Sequence, residues 1–330
     1  MACQLGLGHN LAARHVHDLG LVLLFGGGLR GVVNVVPADL AGAQGAPPVL
    51  VGDLLGQFLK PCWHMRLISA LILSAVSDYS DMFSLYQKVK PMTSSYGMLI
   101  LHGFTGTRAT VAPLVPVAES LGMAWSLPQL RGHWTKPEDM VGATYQDMLA
   151  DALAAYDGLR ARVDHVVVAG LSVGGLITLD LATRRPDVRA LAVLAPALRY
   201  ANRLAPLAPL LSRFIARFGG GDPYSGYSDP RYAEGIGNYE WFPTATFATV
   251  IQAVGGVERR LGQITAPVLV AGSRVDRVIP ARASQIVYDK LGSRQKEMAW
   301  FDQTGHEMLI DCEGEAVCQR VRTFFAPLVG

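Results

Sequence analysis

The sequence predicts an α/β protein: a mostly parallel, doubly wound sheet with a helical cap insertion. Three observations predict it. From Gly97 onward, short apolar runs alternate with helical patterns, the rhythm of repeated βαβ units. One of those runs, residues 165–169, leads directly into Gly170-Leu171-Ser172-Val173-Gly174-Gly175 and a helix. Almost 70 residues without that rhythm then separate Leu198 from Pro267, too many for a single crossover helix.

Each element follows from its pattern. Residues 97–101 (GMLIL) end in a glycine-bearing turn, as a buried parallel strand does. Residues 110–121 read as a helix stopped by Gly122. Residues 124–130 read as a strand, and 145–160 as an amphipathic helix with Leu149, Leu153 and Tyr156 on one face. A strand at 165–170 precedes a helix at 174–183, and residues 191–198 and 267–272 are strand-like. A helix at 281–291, a strand at 297–301 and a closing helix at 313–325 complete the series. The insert opens on an apolar stretch, 204–218, with Arg213 and Arg217 outside it, and continues rich in Tyr, Pro and Gly. We expect it to form a cap, at about 200–245, over the C-terminal edge of the sheet, where it would exclude water and shape a pocket.

The α/β domain is thus expected over 91–330. Residues 1–90 differ in character: they hold no glutamate, the first being Glu119, and no sustained period. They are read as an N-terminal extension, either poorly ordered or the product of a gene start placed too far upstream. Met82, Met92 and Met98 are alternative starts, and no catalytic residue is expected before them.

Composition narrows the function. A net charge of +2 with 17% charged residues gives no electrostatic footprint for nucleic acid. No apolar run reaches the ~18 residues of a membrane span, so no stable membrane insertion is expected. The glycines at 26–28 and Arg30 interrupt residues 20–36, and residues 67–76 are short. Cys3, Cys62, Cys312 and Cys318 form no close metal-ligand pair. They are read as small buried hydrophobes in a cytoplasmic protein.

The chemistry rests on Ser172. A serine at a tight strand-to-helix turn is crowded, and glycines at 170 and 174 relieve that crowding. A serine hydroxyl needs a base, and His306 is the only histidine after it. The acid must lie between the two, after a strand. Asp276 qualifies, with Asp302 as its rival beside His306. Such an acid would hold the His306 tautomer and stabilise its imidazolium. His102-Gly103-Phe104-Thr105-Gly106 follows the first strand, so the backbone N–H groups of Phe104 and Val173 are expected to form the oxyanion hole.

These motifs, with Arg131-Gly132-His133 and Gly305-His306, resemble the bacterial carboxylesterase and monoacylglycerol-lipase branch of the α/β-hydrolases over about residues 97–325. The resemblance implies the α/β-hydrolase fold and ester hydrolysis through an acyl-enzyme, with no metal or organic cofactor. The expected partner is a small-molecule ester of short or medium chain. Trp134 departs from the family, which commonly carries glycine there, and is expected, with Trp241, to contact substrate. Tyr227, Tyr232, Tyr239 and Phe242 add aromatic cap surface. A thioesterase, a lipase or another hydrolase of the fold would share this triad, and a binding module would share the scaffold. No acidic pocket for a peptide's α-amine is evident around the cap. Serine rather than aspartate at the elbow disfavours epoxide and haloalkane hydrolysis.

Overall fold

The computed structural model describes residues 20–24, 30–34 and 95–329, except 220–223, 235 and 237. The chain divides into two units, Met1–Val89 and Lys90–Gly330. In the first, strands β1 (Gly20–Leu24) and β2 (Arg30–Asn34) pair antiparallel. The order expected of the rest of that unit, together with Cys3 and Cys62, lies outside the described residues.

The second unit is a six-stranded sheet. In chain order it runs β3 (Tyr96–Leu101), α1 (Leu114–Ser120), β4 (Ala124–Ser126), α2 (Tyr145–Arg160), β5 (His165–Leu171), α3 (Val173–Arg184) and β6 (Ala190–Leu194). The insert contributes α4 (Ala208–Leu211), β7 (Arg217–Gly219) and β8 (Trp241–Pro243). After it come α5 (Thr244–Arg260), β9 (Val268–Ser273), α6 (Ala281–Lys290), β10 (Lys296–Phe301) and α7 (Gly314–Phe325). The strand order is β10-β9-β6-β5-β3-β4, and every neighbouring pair is parallel.

Period-two alternation in each strand feeds two cores, one on each face of the sheet. Leu99, Leu101, Val166 and Val168 pack with α2, α3, α5 and α6, while Met98, Ile100, Val167 and Ala169 pack with α1 and α7. Thr144 and Asp147 start α2 as a capping box: the Thr144 hydroxyl accepts from the Asp147 N–H (3.2 Å), and the Asp147 carboxylate accepts from the Thr144 N–H (2.9 Å).

Several expected boundaries shift for local reasons. The first helix begins at Leu114, after a 3-10 turn at Arg108–Thr110, with Pro113 as its N-cap. The strand expected over 124–130 ends at Ser126, two residues before Pro128, which lacks an N–H for a ladder. The strand expected over 191–198 stops at Leu194, where Ala195 turns at φ 40°. Proline at 206 and 209 keeps residues 204–218 to a 3-10 turn and the single turn of α4, and Phe214 stays 81% exposed. Helix α5, which the sequence reading passed over, carries the chain back to the sheet. Cys312 is exposed and Cys318 half-buried, so the reading of these two as buried hydrophobes is corrected. Among the described residues, no helix is long and apolar enough to cross a membrane.

Close packing around β5 yields the first test. A Cβ at Gly174 would sit 2.3 Å from the Leu101 carbonyl oxygen and 2.6 Å from that of His102. Both are backbone atoms and cannot swing aside. Gly174→Ala is expected to cost about 1–3 kcal/mol of stability or more, measured as a lower urea midpoint.

Candidate active site

Ser172 stands between the end of β5 and the start of α3 at φ 58°, ψ −117°, backbone angles that a non-glycine residue holds only under strain. The fold holds it there. The Ser172 N–H donates to the Leu194 carbonyl (2.9 Å), and its own carbonyl accepts from Leu176 (3.0 Å) and Ala197 (3.1 Å). A Cβ at Gly170 would sit 2.3 Å from the Gly174 oxygen, so the two glycines do relieve the crowding. Gly103 is packed less tightly: its Cβ would approach the Ser172 Cβ to 3.2 Å.

Asp276 and His306 come from loops after β9 and β10. One Asp276 oxygen accepts from the N–H groups of Val278 (2.7 Å) and Ile279 (2.8 Å). The other lies 2.8 Å from His306 Nδ1. That pairing puts the proton on Nδ1 and leaves Nε2 free to accept one. Burial disfavours charge on His306, but the negative charge and hydrogen bond of Asp276, aided by Glu307, outweigh it and raise its pKa above the ordinary value. Asp302, the rival acid, is exposed and paired with Arg274 (2.6 Å). Asp311 accepts from the N–H groups of Gly305 (2.6 Å) and Ser228 (2.7 Å), tying the His306 loop to the insert.

Two buried histidines brace the loop after β3. The Leu130 N–H donates to His102 Nε2 (3.3 Å), and the Thr105 N–H to His133 Nε2 (3.1 Å). Their Nδ1 atoms face the carbonyls of Gly103 (2.9 Å) and Arg131 (3.1 Å). Both rings must be neutral to accept in this way. Burial, and for His102 also the charge of His133, lowers the pKa of His102 to about 3. Burial lowers that of His133 to about 4, against the Arg131 and Leu130 carbonyls and Asp151. The amides of Phe104 and Val173 donate to no protein acceptor among the described residues, and both residues line the same cavity as Ser172 and His306.

That cavity holds about 910 Å³. Phe104, Phe242, Phe247 and Tyr200 form a linked aromatic wall, with ring centroids 5.2–5.6 Å apart. Trp241 lines the cavity, under the guanidinium of Arg217 at 4.3 Å. Trp134 does not line it, so its expected contact with substrate is corrected. At φ 64° its backbone occupies the left-handed region that favours glycine, and its ring packs 5.1 Å from that of His102. Tyr227, Tyr239 and Phe242 reach the cavity, whereas Tyr232 stays outside it. The sequence reading missed Tyr200, Asn238, Phe247 and Glu307 as lining residues. For Glu307 the one available signal was its place next to His306. Among the described residues, no group of three or more His, Cys, Asp or Glu could hold a metal ion.

The chain resembles known proteins over the same region. A family model described as serine aminopeptidase, S33 (Hydrolase_4) matches residues 97–313. A thermostable monoacylglycerol lipase of Bacillus sp. (strain H-257) is 29% identical over 245 residues, 71% of this chain and 92% of that protein. A carboxylesterase of Bacillus subtilis (strain 168) is 26% identical over 243 residues, covering 72% and 97%. A solved structure of the metagenome-derived lipolytic enzymes LipS and LipT superposes with a TM-score of 0.65 at 27% identity, covering 71% of this chain and 94% of that one. A monoacylglycerol lipase from Paleococcus ferrophilus, 19% identical with coverage of 70% and 94%, shares the fold at a TM-score of 0.59.

The chain is therefore a serine hydrolase of the α/β-hydrolase fold, a carboxylic ester hydrolase by class. It belongs to the serine aminopeptidase S33 family, on the branch that holds bacterial esterases and monoacylglycerol lipases.

Two tests follow from the titrations. In the unfolded chain His102 and His133 take up protons near pH 6.5, which the folded protein refuses. Stability should be fully present above pH 6.5 and fall below it, by on the order of 1.4 kcal/mol per pH unit per group. Urea midpoints between pH 7 and 4.5 measure the fall, and His133→Gln should flatten it. With His306 as the general base proposed below, its neutral form would be the competent one, so kcat/KM should drop as pH falls through a pKa above 6.5. Asp276→Asn should lower kcat by roughly 10⁴, read on a chromogenic ester.

Proposed function

We propose that the protein is a serine carboxylesterase that hydrolyses short- to medium-chain esters through an acyl-enzyme on Ser172. The observation that carries this reading is that His306, 2.8 Å from Asp276, lines one cavity with the strained Ser172 elbow. The Ser172 oxygen attacks the ester carbonyl as His306 Nε2 takes its proton. The amides of Phe104 and Val173 hold the oxyanion, a pair in which each donor is worth about 3 kcal/mol of transition-state stabilisation. The bond to the alcohol oxygen breaks, and His306 returns the proton to that oxygen. Water then repeats the sequence, releasing the acid and restoring Ser172.

The uncharged aromatic wall of Phe104, Phe242 and Phe247 supports an apolar acyl group. Relatives named carboxylesterase and monoacylglycerol lipase stand at similar identity, so the choice between the two activities rests on substrate measurements. The working unit in this reading is residues 91–330 with the cap at about 200–245, acting in the cytoplasm on a small-molecule ester.

Ser172→Ala should abolish p-nitrophenyl ester hydrolysis and fluorophosphonate labelling while keeping the wild-type circular dichroism spectrum. Retained turnover would reject the nucleophile. A series of p-nitrophenyl esters, set against a thioester and an anilide, should show its highest kcat/KM on an ester of four to eight acyl carbons, roughly the chain a drug-sized cavity encloses. A thioester or anilide preference would overturn the esterase reading.

A further inference from the structure

Asp311 is a buried carboxylate, 5% exposed, to which the reaction above gives no part. Burying such a charge is costly unless hydrogen bonds compensate it. Four donors do so. One oxygen, Oδ2, accepts from the N–H groups of Gly305 (2.6 Å) and Ser228 (2.7 Å). The other accepts from the Ser228 hydroxyl (2.5 Å) and the Cys312 N–H (2.8 Å). The Asp311 carbonyl accepts from Gly314 (2.8 Å), the first residue of α7, so the carboxylate stands against a regular element.

These bonds join two segments of the chain beside His306. Ser228 belongs to the insert, and Gly305 directly precedes the base. On the other side of His306, the Glu307 N–H donates to the Gly226 carbonyl (2.8 Å). The two backbones touch here: a Cβ at Gly305 would sit 2.6 Å from the Gly226 oxygen and 2.8 Å from the Tyr227 carbonyl carbon. Nearer the sheet, the loop is held without the insert. Glu313 accepts from the N–H groups of Gln303 (2.8 Å) and Thr304 (2.8 Å), and the Ser273 hydroxyl donates to the Thr304 carbonyl (2.6 Å). The sheet side thus fixes the loop as far as Thr304, whereas the N–H bonds of Gly305 and Glu307 lead to the insert.

A base must stand close to its productive place, since a misplacement of about 1 Å costs on the order of 100-fold in rate. We propose that Asp311 is a positioning residue: by joining Gly305 to Ser228, it makes the place of the His306 ring depend on the docked insert. The proposal rests on the ester-hydrolase reading above. Asp311 does not line the cavity; it acts through His306.

The leaving group reads the position of His306. Ethoxide departs only with a proton from Nε2, whereas p-nitrophenolate departs without one. A displaced ring therefore penalises ethyl butanoate more than p-nitrophenyl butanoate, while partial unfolding penalises both alike. At a pH above the His306 titration, Asp311→Ala should lower kcat/KM for the ethyl ester by about 10- to 100-fold, and for the p-nitrophenyl ester several-fold less. Asp311→Asn keeps one oxygen for the Gly305 and Ser228 N–H groups and an amide that donates to the Ser228 hydroxyl, so it should recover most of the loss. Both variants lack the charge that, adding to burial, raises the pKa of Glu307 and of Tyr227. Their difference therefore does not come from charge.

If Asp311→Ala loses the wild-type circular dichroism spectrum, Ser228→Ala decides. It removes the hydroxyl bond to Asp311, leaves the Gly305 bond, and should show the same bias between esters to a smaller degree. Wild-type rates in the deciding variant, an equal loss on both esters, or an asparagine variant as impaired as a folded alanine one overturns the proposal. Turnover of neither ester by the wild-type protein overturns the ester-hydrolase reading instead.

Discussion

The structure turns on the close contact of two backbones at the Ser172 elbow. The β5–α3 turn brings residue 174 within van der Waals reach of the Leu101 and His102 carbonyls on the adjacent strand, and Ser172 accepts strained angles so that its side chain clears the sheet edge. Strain of this kind costs on the order of 1–3 kcal/mol. Burial of α3, whose residues 173–182 are buried between the sheet and α2 and α5, offsets it. Because every pair of neighbouring strands is parallel, the loops after β3, β5, β9 and β10 all leave the same edge. Residues 104, 172, 276 and 306, far apart in sequence, meet there for that reason.

Electrostatics divides the histidines of this edge into two kinds. His102 and His133 are buried among backbone groups and face each other at 4.8 Å between ring centroids; with no carboxylate in contact, desolvation keeps them neutral and lets each accept from a backbone N–H. His306 is equally buried, but Asp276 touches it, and the same burial then strengthens the attraction that favours its charged form. Neutral rings shape the loop that carries Phe104, and a chargeable ring lines the cavity with Ser172. One residue type serves both ends because the neighbouring atoms differ.

The insert completes the cavity through contacts with these same loops. The Tyr239 hydroxyl donates to the Gly132 carbonyl (3.1 Å) and accepts from the Thr135 N–H (3.0 Å), and the Thr107 hydroxyl donates to the Ile236 carbonyl (3.0 Å). The two-stranded ribbon of β7 and β8 sets Phe218 against Phe242. Such contacts hold the insert against the loops around Ser172 with side chains that no motif specifies.

The parallel architecture was legible because strand alternation and helix period are local properties of the chain. The elbow was legible because Gly170 and Gly174 meet a steric demand at fixed spacing. Asp276 and His306 were named by their order after strands, and the structure sets their side chains 2.8 Å apart. Trp134 misled because its number says nothing of a left-handed backbone that turns the ring onto His102. Asn238 and Phe247 gave no usable signal, since an amide and a phenyl ring gain meaning only from what lies across the cavity. By itself the sequence determined the sheet and the elbow, both of which rest on short-range periodicity and sterics. Which side chains line the cavity was decided only by the tertiary structure, because that depends on how the insert, about residues 200–245, folds against the loops that leave the sheet.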